Sequence, residues 1–331
     1  MKTLYLHVGY PKTATTTLQK WVFPDLPGVK YIGRTYYEKG RTSDESTIMS
    51  ATRLVAFREN PEITKKGADI LRKMSLDSDV MISLEGILAQ CLVPTPNLRL
   101  GGKITLAPTV KEAMEHALKF ADMAGFDEVK IIVTLREQGD LLSSFFAEGY
   151  MDRYSRIPKI STFGKFTDDL LLHNQCVDSS VVNYEELENV LLDTLGEDNF
   201  VFVGFDWLKS DPDKFSKVLS GFLGVDNEIM LEKIRAASPE NVRRAVKSKT
   251  SLKIRRKNAR YFLDRIKKMF FPNVNLGIGR LVGSWLSRIE YGPKDFEPDA
   301  RDIERIREFY KVSNQNFVRN NPEFISLTES R

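Results

Sequence analysis

Four short apolar runs punctuate the first two-thirds of the chain, and each gives way to a turn and then a segment with helical spacing. Leu4–Val8 is stopped by Gly9-Tyr10-Pro11, and Ala14–Val22 then reads as a helix with threonines in its first turn. Residues 40–75 are polar and helical in character. Val80–Ser83 is the second run, inside SDVMISLEGIL, and it ends at Glu85-Gly86. Val110–Ala124 puts Ala113, Met114, Ala117, Leu118 and Ala121 on one helical face. VKIIVTLRE, Val129–Glu137, has the β-branched apolar centre of a strand buried on both faces, and QGDLLSSFFAEGY supplies a turn and helix after it. NFVFVGFDWL, Asn199–Leu208, is the last strand, before a helix over Asp211–Val225 with a glycine stop. The alternation predicts an α/β fold, a parallel sheet flanked by helices. Past residue 240 it fades, and the closing helix DARDIERIREFYKVSNQNFV makes the C-terminal part mostly helical.

Parallel sheets bind ligands at the carboxyl ends of their strands. Three predicted strands deliver chemistry there: the loop Pro11–Thr17, Glu85 and Arg136. Their convergence points to one site. The loop joins a strand to a helix start, where backbone N–H groups lack partners and the helix dipole favours an anion. Threonines let a phosphate approach closely, and Lys12 adds a full charge. A Walker A loop would carry its lysine late, after a second glycine, with Ser or Thr on Mg²⁺. Here the lysine comes early, in Pro11-Lys12-Thr13, and Ala14 stands at the second glycine position. The expected ligand is therefore a phosphate that does not depend on a metal.

In its loop YPKTATTTLQ the chain resembles the PAPS-dependent sulfotransferases (PAPS is 3′-phosphoadenosine 5′-phosphosulfate), whose 5′-phosphosulfate loop runs Pro-Lys-Ser/Thr-Gly-Thr-Thr/Ser. It departs at Ala14, which is tolerable there only if its φ is negative. A second signature of that family, an Arg ending a strand and a Ser eight residues on, is matched by Arg136 and Ser144 in IIVTLREQGDLLSSFF. Ser143 is the alternative should the helix register differ by one. The stretch from NYEELENV to SGFLGV and the tail FYKVSNQNFV are similar as well.

The resemblance implies a P-loop-like fold and a bacterial-type sulfotransferase moving a sulfuryl group from PAPS, leaving PAP; the loop itself points to no metal, and a cytoplasmic setting is the default expectation for a reduced chain with no visible signal peptide. Pro11, Lys12, Thr13, Ala14, Thr15, Thr16 and Thr17 would hold the 5′-phosphosulfate, Lys12 would steady the leaving group, and Arg136 with Ser144 would hold the 3′-phosphate. It also implies a base after the second strand: Glu85, with His7 the second candidate. The acceptor class is a hydroxyl on a small molecule, glycan or glycolipid. Rival readings are a catalytically idle nucleotide-binding scaffold and a P-loop kinase. Tyr36-Tyr37 and Phe145-Phe146 fit an acceptor pocket or the core equally well. His116 and His173 read as structural or solvated.

Composition changes this picture in one place. The 331 residues carry a net charge of only +4, yet Asn241–Phe270 holds twelve Lys/Arg and one acid, a local +11. The stretch 241–290 reads as a basic, mostly helical insertion, or, as the sulfotransferase resemblance implies, a cofactor-covering segment with Arg243, Arg244 or Arg255-Arg256-Lys257 near the cofactor. Leu252–Phe271 has the spacing of a basic amphipathic helix suited to an anionic membrane surface. No nucleic-acid-binding module is visible. Two cysteines make no disulfide framework, and nothing resembles a zinc motif. The opening residues leave no room for a signal peptide, no apolar run reaches 18 residues, and no linker or repeat divides the chain. A single domain over 1–331 is the expectation.

Overall fold

The structure is a computed structural model, and it describes residues 1–33, 42–54, 60–75, 78–92, 108–151, 154–173, 176–237, 252–253, 257–258, 290–291, 293 and 295–328. Five strands, β1 (Thr3–His7), β2 (Val29–Ile32), β3 (Asp79–Ser83), β4 (Glu128–Leu135) and β5 (Phe200–Gly204), form one parallel sheet in the order β2-β3-β1-β4-β5. Helices flank it, and the C-terminal part is mostly helical.

The central strands are apolar because both faces are covered: all of β1, and the last five residues of β4, are buried. β2 lies at the edge, with Lys30 exposed. It is four residues long and follows Gly28, so its weak alternation predicts no strand, and the sequence pattern missed it.

The helix expected over Ala14–Val22 begins at Thr15. A single turn, Thr15–Thr17, passes into a π-helix, Leu18–Val22, and then a 3₁₀ turn, Phe23–Asp25, with Pro24 in it. Val110–Met123 is a helix as its pattern predicts, capped by Thr109 and Glu112, which satisfy each other's terminal N–H groups. Pro212–Leu223 ends at Gly224, whose φ of +66° makes the expected glycine stop.

Phe145 and Phe146 are core residues. Phe146 stacks on Tyr154 at 5.1 Å and meets Phe163, Phe166 and Phe296 at 5.3–5.5 Å. Tyr36-Tyr37 lie outside the described residues.

The basic region departs from expectation at its start. Leu252–Lys253 and Lys257–Asn258 are extended, not helical, and pair antiparallel with Asp295–Phe296 and Glu290–Tyr291. All four residue pairs share one register. Phe296 anchors it in the aromatic cluster, and backbone pairing there outweighs the helical spacing of the side chains. The rest of 241–289, including Arg243, Arg244 and Arg255-Arg256, lies outside the described residues. Among the described residues no helix is long and apolar enough to cross a membrane.

The final helix, Ala300–Asn320, packs on the Gln138–Gly149 and Tyr184–Leu195 helices. Gln138 and Asn314 exchange side-chain hydrogen bonds of 2.7 and 3.1 Å, and Gln138 also donates to Val182 O. Buried Glu137 caps its own helix through Gly139 N and Asp140 N, and it pairs with Arg307 at 3.5 Å. The chain end thus clamps the start of the helix that carries Ser144.

Candidate functional site

β3, β1 and β4 are adjacent in the sheet, and their carboxyl ends carry the three sequence-predicted groups. The Pro11–Thr17 loop leaves β1, Glu85 follows β3, and Arg136 follows β4 directly. Strand order, which the sequence pattern does not encode, is what makes them neighbours.

Within the loop, Lys12 and Ala14 both take positive φ, +76° and +57°. The condition stated for Ala14, a negative φ, is therefore not met. The residue occupies the left-handed conformation that a glycine would take freely, at a cost of about 1–2 kcal/mol. The chain turn needs that angle, so alanine is held in it by its surroundings. Among the described residues, the backbone N–H groups of Thr13, Ala14, Thr15 and Thr16 have no protein acceptor. Successive unpaired N–H groups around left-handed residues form an anion-binding concavity.

The threonines divide their work. Thr13 is buried and donates to Tyr10 O at 2.6 Å, closing the loop on itself. Thr15 is buried and donates to Glu85 Oε1, tying the loop to the end of β3. Thr16 is half-buried, and Thr17 is buried at the helix start. Glu85, half-buried, thus has a hydroxyl on its carboxylate.

Beneath the loop lies a buried polar chain. His7 Nδ1 is 2.7 Å from Ser83 Oγ, and Nε2 is 3.0 Å from Thr134 Oγ1. Gln19 Nε2 donates to Ser83 Oγ at 3.0 Å. If Ser83 accepts from Gln19 and donates onward, His7 Nδ1 is the acceptor and Nε2 carries the proton. Burial brings the His7 pKa down to about 3, so the ring is neutral at ordinary pH. With no exposed surface and both nitrogens engaged, His7 is a sheet residue with no route to a substrate hydroxyl. Gly9 is required above it, because a Cβ there would sit 2.9 Å from His7 Nε2. His116 is buried against Ala51 O, which fits a structural role, and His173 is exposed.

Arg136 joins the two halves of the site. Its Nη1 donates to Lys12 O at 3.2 Å and to Ser144 Oγ at 3.3 Å. Ser143 instead donates to Asp140 O, so the register favours Ser144. The guanidinium lies 4.9 Å over the Phe205 ring and 3.7 Å from Asp140. Its Nε is buried without a hydrogen-bond partner among the described residues, which leaves one strong donor unused.

Sequence reasoning missed several supporting residues. Tyr184 donates to Arg136 O and fixes the backbone at the end of β4. Tyr10 donates to Val181 O and anchors the loop's entry. Both are fully buried, and burial raises their pKa well above the usual phenol value. Lys12 itself is paired with Glu148 at 3.1 Å. No spacing signal joins residues so far apart in the chain, although Asp140, Ser144 and Glu148 do recur every fourth residue. Among the described residues no group of His, Cys, Asp and Glu is arranged to hold a metal.

No family model matches the sequence, and no curated protein matches it. Solved structures do resemble it. A mouse sulfotransferase, SULT7A1, complexed with PAP is 18% identical, with a TM-score of 0.37 over 75% of this chain and 68% of that one. A sulfotransferase from Alicyclobacillus acidocaldarius is 13% identical, with a TM-score of 0.41 over 88% and 98%. The sulfotransferase domain from the curacin biosynthetic pathway is 12% identical, with a TM-score of 0.40 over 72% and 78%. Overlaps this loose decide neither ligand nor reaction for this chain.

Proposed function

We propose that this protein binds PAPS across the Pro11–Thr17 loop and the Arg136–Ser144 pair, and that it transfers the sulfuryl group to a hydroxyl acceptor. One observation carries the reading: a single nitrogen of Arg136 reaches both the loop, at Lys12 O, and the Ser144 hydroxyl. Two motifs 124 residues apart in the chain are thereby one site. The residues present fit the cofactor. Unpaired loop N–H groups and Lys12 suit a 5′-phosphosulfate, while the partly exposed Arg136 guanidinium and the Ser144 hydroxyl suit a 3′-phosphate.

Bound there, PAPS would supply an activated sulfuryl group. The chain's own residues supply the rest. Lys12 and the loop amides stabilise charge on the 5′ side. Glu85, oriented by Thr15, takes the proton of the acceptor hydroxyl, a task worth roughly 10²–10⁴-fold. In this reading the acceptor is a glycan or glycolipid hydroxyl. The +11 of Asn241–Phe270 suits cofactor cover and, for a lipid-linked acceptor, charge-driven peripheral contact with an anionic membrane. The whole chain is read as one domain, because its last helix closes on the helix bearing Ser144. Two buried cysteines, neither in a disulfide, accord with a cytoplasmic setting.

A second reading has an observation behind it. Glu85 is engaged by Thr15 and Lys12 by Glu148, which suits a nucleotide-binding scaffold without turnover.

Calorimetric titration with PAP in EDTA, on wild type and Arg136→Ala, tests the cofactor site. Losing one charged phosphate contact should weaken binding roughly ten- to a hundred-fold. Failure of the wild type to bind PAP, or binding of ATP with Mg²⁺ in its place, would refute the proposal. Transfer of radiolabelled sulfate from PAPS to a panel of carbohydrate and glycolipid acceptors separates the enzyme from the scaffold: binding without transfer to any of them favours the scaffold.

A further inference from the structure

Asp140, Ser144 and Glu148 lie four residues apart on the Gln138–Gly149 helix, and so on one face of it. That face meets both cations of the site. Arg136 Nη2 is 3.7 Å from Asp140 Oδ2, and Lys12 Nζ is 3.1 Å from Glu148 Oε2. Ser144, between the two acids, accepts from Arg136. The stripe therefore reads acid, hydroxyl, acid, opposite arginine and lysine in the same order. The four charged groups sum to zero, which is an unexpected balance for a site meant to take a bisphosphate.

We propose that Asp140 and Glu148 are positioning residues that hold Arg136 and Lys12 in ion pairs and compete with the 3′- and 5′-phosphates, respectively, of a nucleoside bisphosphate. The inference rests on the cofactor reading above and goes beyond it. Lys12 has a flexible stem and one point charge, so without a partner its ammonium would sample solvent. Glu148 keeps it over the loop. A phosphate carries nearly twice the charge of a carboxylate and offers three acceptor oxygens, so it wins the exchange. Each displaced acid then remains nearby as a repelling charge. Both side chains are more than a third exposed, Asp140 by 39% and Glu148 by 36%, so they can turn to water at little cost. The arrangement trades affinity for release, a useful bargain where departure of a bisphosphate product limits turnover.

The test compares wild type, Asp140→Asn and Glu148→Gln by calorimetry at one low ionic strength, with PAP, adenosine 3′-monophosphate and adenosine 5′-monophosphate as probes. Glu148→Gln is expected to tighten PAP and the 5′-monophosphate about three- to tenfold, with the 3′-monophosphate within about twofold. Asp140→Asn is expected to do the reverse, tightening PAP and the 3′-monophosphate alone. Adding Lys12→Met should abolish the gain from Glu148→Gln, because the gain comes from freeing that lysine.

Wild type that binds PAP while both variants bind equally or more weakly would overturn the inference and leave the cofactor site standing. Equal tightening of all three probes by either variant would overturn it too, since that is the signature of general charge. Wild type that binds none of the probes removes the cofactor reading, and this inference with it.

Discussion

Arg136 donates from one nitrogen to the carbonyl of Lys12 and to the hydroxyl of Ser144, so the end of β4 grips the loop after β1 and the following helix together. A lysine at 136 keeps the charge but loses the planar fork that makes this span. Arg136→Lys should therefore weaken PAP binding by about tenfold. Titration calorimetry reads it directly, and wild-type affinity in the variant would mean that charge alone suffices.

Ala14 sits at φ +57°. Glycine there relieves about 1–2 kcal/mol of steric cost and gives back about 0.5–1 kcal/mol in chain entropy. Ala14→Gly is thus expected to stabilise the protein by up to about 1 kcal/mol, a rise in Tm of roughly 2 °C. Thermal unfolding measures this. A lower Tm than wild type would show that the backbone at 14 does not hold a left-handed angle.

His7 makes stability depend on pH in a defined direction. Its pKa is about 3 when folded against the ordinary imidazole value of 6.5, so between those values the unfolded chain binds a proton that the folded protein does not. Above about pH 6.5 the residue contributes no slope. Below it, folding should weaken by up to about 1.4 kcal/mol per pH unit from this group alone. Burial lowers the His116 pKa as well, so the contribution of His7 is read as the difference between wild type and His7→Gln in urea unfolding at pH 7, 6 and 5. Parallel pH profiles would count against a neutral, buried His7.

The Gln138–Asn314 pair predicts a non-additive double mutant. Asn314→Leu leaves the Gln138 amide short of its partner in a buried place, at a cost of about 1–3 kcal/mol. Adding Gln138→Leu removes the stranded group, so the double variant should lose less than the two single losses combined. Strictly additive losses would mean that the two amides do not act as a pair.

Much of this protein is legible in one dimension. The runs at Leu4–Val8, Val80–Ser83, Val129–Glu137 and Asn199–Leu208 mark the four strands whose burial makes them apolar, and Gly224 marks a helix end because the chain there needs a positive φ. The loop from Pro11 to Thr17, Arg136 and Ser144 could be picked out because each motif is local, and their chemistry is fixed by residue type. Other features left no local trace. β2 is short and at the edge, so burial imposes little pattern on it. The helical spacing after Leu252 gave way to pairing with Phe296, a partner 44 residues on. Ala14 took an angle that its side chain disfavours, because the loop's closure on Glu85 and Arg136 fixes the turn. Strand order brought β3, β1 and β4 side by side, and with them Lys12 and Glu148, while docking of the last helix on the Gln138–Gly149 helix made the pair of Gln138 with Asn314. Sequence determines such local matters because propensity, burial period and side-chain chemistry act over a few residues. Contacts across a sheet depend on which strands are neighbours, and only the packed tertiary structure decides that.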